Sequence, residues 1–287
     1  MDCKKVTFLG LGVMGYTMAG HLSKAGHMVT VFNRTTAKAH TWAQEHSGEY
    51  EVTVSAAVKE ADIVMMCVGD DNDVKAVGLE ALDNMKAGSV LVDHTTASAE
   101  VARWLYAQGK EKNIAVLDAP VSGGQAGAEN GQLTVMVGGD KAVFDSVKPV
   151  IDSFARHSQL LGESGSGQLA KMMNQICIAG IVQGLAEALH FGQNAGLDCN
   201  AVVDVISKGA AQSWQMENRA TTMLKNEYEF GFAVDWMRKD LGIALDEARR
   251  NGSTLSLTAL VDQYYADVQK LGGSRWDTSS LLTRLTN

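Results

Sequence analysis

Within "GSGQLAKMMNQICIAGIVQGLAEAL", Gly165 to Leu189, Lys171 is followed one turn later by Asn174 and Gln175 in a helical pattern that is otherwise apolar on nearly every side. Residues three and four apart share a helix face, so these three form one polar cluster. Ile178 and Val182, further along that face, end the polarity after a single turn. A lysine beside two amides can give and take a proton and hold a polar substrate, provided partial burial lowers the lysine pKa towards neutrality. The same residues also suit a helix that begins at the surface, with Lys171 in water and the amides serving the first turn. The segment alone leaves both readings open.

A second set of residues with chemical spacing lies near the start of the chain. "KVTFLGLG" is a short apolar run rich in β-formers, "VMGYTMAGHLSKAG" has helical periodicity closed by Gly26, and "HMVTVFNRT" reads as another strand. The turn of this βαβ unit holds Gly10, Gly12 and Gly15 in G-x-G-x-x-G spacing. The first glycine permits a tight turn, the second lets backbone approach a pyrophosphate, and the third lets helix pack on strand. A dinucleotide diphosphate is expected on the free N–H groups around Val13 and Met14. An acid at the end of the second strand would bind the ribose 2′-hydroxyl of NAD. Asn33, Arg34 and Thr35 stand there instead. Arginine pairs with phosphate, and its neighbours can donate hydrogen bonds, so NADP(H) is favoured as cofactor, with NAD(H) possible.

The elements that must position these groups follow the same alternation. "ADIVMMCVG", "GSVLVDHTT" and "NIAVLDAPVSGG" are apolar strands ending in small or polar residues, with helical stretches between them. The expected fold is α/β, a Rossmann-type doubly wound parallel sheet, whose ligands collect at the carboxyl ends of the strands. Val68, Gly69, Thr95, Thr96 and Ser122 to Gly124 are placed at such ends. After Gly167 the pattern becomes helical, over roughly 168–194, 199–208, 214–225, 233–251 and 256–271. Two domains are expected: an NADP-binding Rossmann domain over 1–163, and an all-α C-terminal substrate and dimerisation domain over 164–287 that begins with a long interdomain helix.

Composition narrows the function classes. A formal charge of −8 argues against nucleic acid as a main partner. No uninterrupted apolar run reaches the ~20 residues of a bilayer span, and the opening residues lead directly into a strand, so neither a membrane partner nor a signal peptide is expected. Cys3, Cys67, Cys177 and Cys199 are scattered and the seven histidines lack ligand spacing, so no metal and a reducing, cytoplasmic location are expected.

With "DAPVSGGQAGAENGQLTVMVGG", Asp118 to Gly139, the sequence resembles the β-hydroxyacid dehydrogenase family: 3-hydroxyisobutyrate dehydrogenase, tartronate semialdehyde reductase, and glyoxylate or succinic semialdehyde reductases. The likeness extends over essentially the whole chain. "GLGVMGYTMAGHLSKAG" is similar to the family's cofactor signature, D-x-P-V-S-G-G to its substrate signature, "GSGQLAKMMNQ" to its catalytic segment and "RKDLGIALDEARRNG" to its C-terminal signature. The resemblance implies an oxidoreductase that transfers a hydride between NADP(H) and a small 3-hydroxy acid or its semialdehyde. Lys171 would be the general acid and base. Ser122, Gly123 and Gly124 would hold the substrate carboxylate, with Asn174 and Gln175 also on the substrate. Thr95 or Thr96 would contact the nicotinamide side, and Lys239 would close over the cofactor. A homodimer or homotetramer is expected.

The chain departs from the family where Gln175 replaces a common asparagine, where Val68-Gly69 replaces a common Leu-Pro, and where Asp73 replaces a frequent asparagine. Three other readings make different demands on these residues. A 6-phosphogluconate dehydrogenase would have a His-Asn pair after its lysine and a longer chain. An imine reductase usually lacks the lysine. A non-catalytic NADP-binding module would have no need of Lys171, Ser122 and Asn174 together.

Overall fold

The computed structural model describes residues 3–286. Strands and helices alternate along the first part: β1 (Lys5–Leu9), α1 (Val13–Lys24), β2 (Met28–Phe32), α2 (Thr36–His46), β3 (Glu49–Glu51), α3 (Val54–Val58), β4 (Ile63–Met66), α4 (Asp71–Asn84), β5 (Val90–Asp93), α5 (Ala99–Glu111) and β6 (Ala115–Asp118). The six strands form one parallel sheet in the order β3-β2-β1-β4-β5-β6. The order reverses at β1, which makes the carboxyl end of β1 the topological switch point where ligands of such sheets bind. Alternate side chains feed two cores. Phe8 packs with Met18, Leu22 and Trp42 on one face, and Leu9 with Val64, Met66 and Leu91 on the other. All four residues of β4 are buried, as a strand covered on both faces requires.

A second sheet follows, built from β7 (Val121–Ser122), β8 (Leu133–Val137) and β9 (Ala155–Leu160), with α6 (Gly124–Glu129) and α7 (Lys141–Ile151) between its strands. β7 runs antiparallel to β8, pairing Ser122 with Thr134. The sequence placed Ser122 to Gly124 at the end of a parallel strand. Instead β6 stops at Asp118, Pro120 interrupts, and Ser122 begins again in the other sheet. β6 is the edge strand of its sheet, where a proline is tolerated and its missing N–H ends pairing on the outer side.

The remaining elements are helical: α8 (Ser166–Asn194), α9 (Cys199–Ile206), α10 (Trp214–Leu224), α11 (Val234–Asn251), α12 (Ser256–Lys270), a 3₁₀ turn (Thr278–Leu282) and α13 (Thr283–Thr286). The chain divides into two compact units after Lys171, within the first turns of α8. The core of the second unit gathers Val182, Leu185, Met237, Leu241, Val261 and Tyr265. α8 is long and apolar enough to cross a bilayer by length and composition alone. Gln168, Lys171, Gln175 and Gln183 are nevertheless among its buried residues, the pattern of a core helix with a polar task.

Candidate active site

The glycine turn after β1 assigns each glycine a different constraint. Gly10 has φ +95°, and a side chain there would run into the Cys67 carbonyl; Gly15 leaves no room for one against the Gly10 carbonyl and the Phe8 ring. At Gly12 nothing stands within 4 Å of where a Cβ would be. Gly12 caps α1 without a side-chain hydrogen bond, and the first turn carries no acid. The N–H groups at Val13 and Met14 belong to a helix start with positive dipole and no intrahelical partners. These features fit a diphosphate. A groove of about 460 Å³ runs beside them, lined among others by Gly12, Val13, Tyr16, Lys38 and Thr41.

At the end of β2, the Asn33 side chain is committed to backbone. Its Oδ1 accepts from the Leu11 N–H (2.9 Å) and its Nδ2 donates to the Thr35 carbonyl (3.1 Å). Asn33 therefore shapes the glycine turn, and the exposed Arg34 and Thr35 present the side chains of this triplet to solvent. The next loops are tied together similarly. Val68 N–H donates to Thr95 Oγ1 (3.0 Å), and Gly69 N–H donates to Asp73 Oδ2 (3.1 Å). Thr95 is buried and holds the β4 loop, whereas Thr96 is partly exposed. Asp73 gives its carboxylate to the same loop. Before them, His94 is buried against Phe8 and Phe154, with Nδ1–H donating to the Ala119 carbonyl at 2.7 Å. Burial pushes its pKa down to about 4, against the pull of that bond.

Gly123 (φ +134°) and Gly124 (φ +62°) follow Ser122 in conformations that side chains disfavour, which explains the S-G-G composition. The start of α8 is fixed by buried groups. Asp118 Oδ1 accepts from Gly165 N–H (2.7 Å) and its Oδ2 from Gln168 N–H (3.0 Å). Desolvation raises the Asp118 pKa, while backbone N–H groups, those of Gly165, Gln168 and Gly167 among them, draw it back. The Gln168 side chain accepts from Ala97 N–H (3.1 Å) and donates to the Thr95 carbonyl (2.7 Å). Lys171, 7% exposed, comes three residues later.

In the second unit, Asn174 Nδ2 donates to Gln175 Oε1 (2.7 Å), and Gln175 Nε2 donates to Asp240 Oδ2 (2.7 Å) with Met237 Sδ alongside at 3.7 Å. Gln175 is 2% exposed. Both ends of its amide are used inside the protein, Oε1 on Asn174 and Nε2 on Asp240. Lys239 Nζ lies 3.4 Å from Asp240 Oδ1 and 5.5 Å from the Trp236 ring.

Two family models match the chain: the NAD binding domain of 6-phosphogluconate dehydrogenase over residues 5–163, and the NAD-binding domain of NADP-dependent 3-hydroxyisobutyrate dehydrogenase over 165–285. An uncharacterized oxidoreductase of Shewanella frigidimarina is 64% identical, covering 98% of each chain. The 2-hydroxy-3-oxopropionate reductase of Escherichia coli is 35% identical over 98% of this chain and 97% of its own. The chain belongs to the β-hydroxyacid dehydrogenase family. Among solved structures, the 3-hydroxyisobutyrate dehydrogenase of Mycobacterium tuberculosis with L-serine superposes with a TM-score of 0.91 over the whole of both chains at 29% identity.

As a member of this family the chain is an NAD(P)-dependent dehydrogenase that takes a nicotinamide cofactor. Four residues of the dehydrogenase received no role from its sequence. Lys38 enters the groove from the first turn of α2, and Asp118, Gln168 and Asp240 are buried acceptors and donors. Only the tertiary pairing marks them, although the acid that opens D-x-P-V-S-G-G was visible as a letter.

Proposed function

We propose that the dehydrogenase interconverts a small semialdehyde acid and its 3-hydroxy acid with NADP(H), using Lys171 as the general acid and base. The observation behind this reading is a lysine withdrawn from water at 7% exposure, one turn before an amide with a fixed flip. The bound nicotinamide supplies or accepts the hydride. As negative charge grows on the aldehyde oxygen, the Lys171 ammonium gives it a proton, and in oxidation the neutral amine takes the hydroxyl proton back. Asn174 orients that oxygen, and Ser122 with the backbone of Gly123 and Gly124 receives the carboxylate. Thr96 faces the nicotinamide. Arg34, Thr35 and Lys38 recognise the 2′-phosphate. The enzyme is further proposed to be a cytoplasmic homodimer or homotetramer. Ile181, Phe191, Leu257 and Leu260 are exposed apolar side chains of the helical unit, a surface suited to a second copy.

The experiment is a panel of small aldehyde acids, 2-hydroxy-3-oxopropionate and succinic semialdehyde included, and of 3-hydroxy acids, followed by nicotinamide absorbance with each cofactor. Turnover of at least one pair, faster with NADP(H), is expected. Activity confined to NAD(H), or to substrates without a carboxylate, contradicts the proposal.

A further inference from the structure

The first acid of the substrate signature faces away from any substrate role. Asp118 ends β6 and gives both carboxylate oxygens to the backbone at the start of α8, Oδ1 to Gly165 and Oδ2 to Gln168. An acceptor at a helix start satisfies orphan N–H groups and complements the dipole. Here the acceptor comes from 47 and 50 residues away, so it joins two elements as well as capping one. Three glycines make the approach possible. A Cβ at Gly138 would sit 2.5 Å from Asp118 Oδ1, one at Gly167 would sit 2.8 Å from Oδ2, and Gly165 turns with φ +92°.

Gln168 completes the clamp from the helix side. Its buried amide bridges the Ala97 N–H and the Thr95 carbonyl, and Thr95 in turn holds the Val68 N–H. The loop after β5 and the end of β6 are thus hydrogen-bonded to the start of α8, and the loop after β4 is tied to them through Thr95. Lys171 is three residues beyond Gln168, on the same helix face. No other lysine of α8 exists to share its task.

We infer that Asp118 and Gln168 are positioning residues for Lys171, fixing the height and rotation of α8 so that the ammonium meets the ends of β4, β5 and β6 at a set place. This rests on the reading of Lys171 as proton donor. The carboxylate is needed as such, because an amide at 118 would turn an NH₂ towards one of two N–H donors.

A double-mutant cycle tests it, with Asp118→Asn and Gln168→Met each made in the wild-type and Lys171→Ala enzymes, and with the fastest aldehyde acid of the panel as substrate. A positioning role lowers kcat about 10- to 100-fold in the Lys171 background, the usual cost of a small misplacement, with NADPH affinity unchanged. It has no further effect on the residual turnover of Lys171→Ala. Amide exchange over residues 165–171 should quicken at least ~10-fold in Asp118→Asn and stay unchanged in the sheet, as local loosening requires. Equal losses in both backgrounds, or unaltered exchange over 165–171, overturn the inference. Should Asp118→Asn fail to fold, Gln168→Met decides alone, by the same cycle and by the same quickening of exchange over residues 165–171. Full turnover in Lys171→Ala is a different outcome: it defeats the proton-donor reading, and with it the inference.

Discussion

At the scale of single residues, the two amides after Lys171 do unequal work. Gln175 lies between Asn174 and the buried Asp240, and because a carboxylate only accepts, it fixes which end of Gln175 points at Asn174. Gln175→Leu removes the relay and leaves a buried acceptor short of a donor, at a cost of about 1–3 kcal/mol in stability. Denaturant unfolding should show that loss, with kinetics giving a raised substrate KM; unchanged stability and KM would mean that Asp240 does not set the amide. Arg34 offers a second test. If the guanidinium pairs with a 2′-phosphate, Arg34→Ala should weaken NADPH binding by about 10- to 100-fold, the worth of a charge-assisted bond, and NADH binding hardly at all. Fluorescence titration of both cofactors would decide, and equal weakening would remove Arg34 from the specificity account.

At the scale of elements, the β1 turn and α1 make contrasting demands on neighbouring glycines. Gly15→Val would drive a side chain into the Gly10 carbonyl and the Phe8 ring, so little folded protein is expected. Gly12→Ala meets open space and should change stability by no more than about 1 kcal/mol, the range for substitutions at a cap, while lowering cofactor affinity sharply. Melting temperature and NADPH titration on the same samples separate the effects; an Ala variant that binds normally would show that the diphosphate lies elsewhere. The sheet and the helices were legible in sequence because glycine spacing and apolar periodicity are local signals. β7 is two residues long and β9 is the polar "ARHSQL", so in the second sheet only β8, "LTVMV", carries such a signal. The 3₁₀ turn at Thr278–Leu282, capped locally by Asp277 through the Ser279 N–H, is five residues long, too short for periodicity to mark it.

For the whole molecule, one buried ring links pH to stability. His94 has its pKa lowered from 6.5 to about 4 in the folded state, so below pH 6.5 the unfolded chain gains a proton that the folded chain refuses. Stability is therefore highest above pH 6.5 and falls as pH drops towards 4, by about 3 kcal/mol at about 1.36 kcal/mol per pH unit. Denaturant midpoints measured between pH 7 and 4 should follow this slope, and His94→Asn, which keeps a donor for the Ala119 carbonyl, should flatten it. An unchanged slope in that variant would assign acid sensitivity to other groups. Most proposed site residues could be named from the chain alone, since family signatures mark them by letter and spacing. The supports of Lys171 could not, because Asp118 and Gln168 are separated by 50 residues in sequence and paired only by the fold.

The central claim is that Lys171 moves the proton, and the direct measurement is kcat of Lys171→Ala and Lys171→Arg with NADPH affinity and melting temperature recorded on the same proteins. Both variants should fold and bind NADPH, and Lys171→Ala should lose ~10²–10⁴ in turnover, the worth of a placed acid or base. Lys171→Arg should recover little, because a guanidinium keeps its charge but does not release a proton near neutral pH. Near-normal turnover in a stable Lys171→Ala protein would contradict the account.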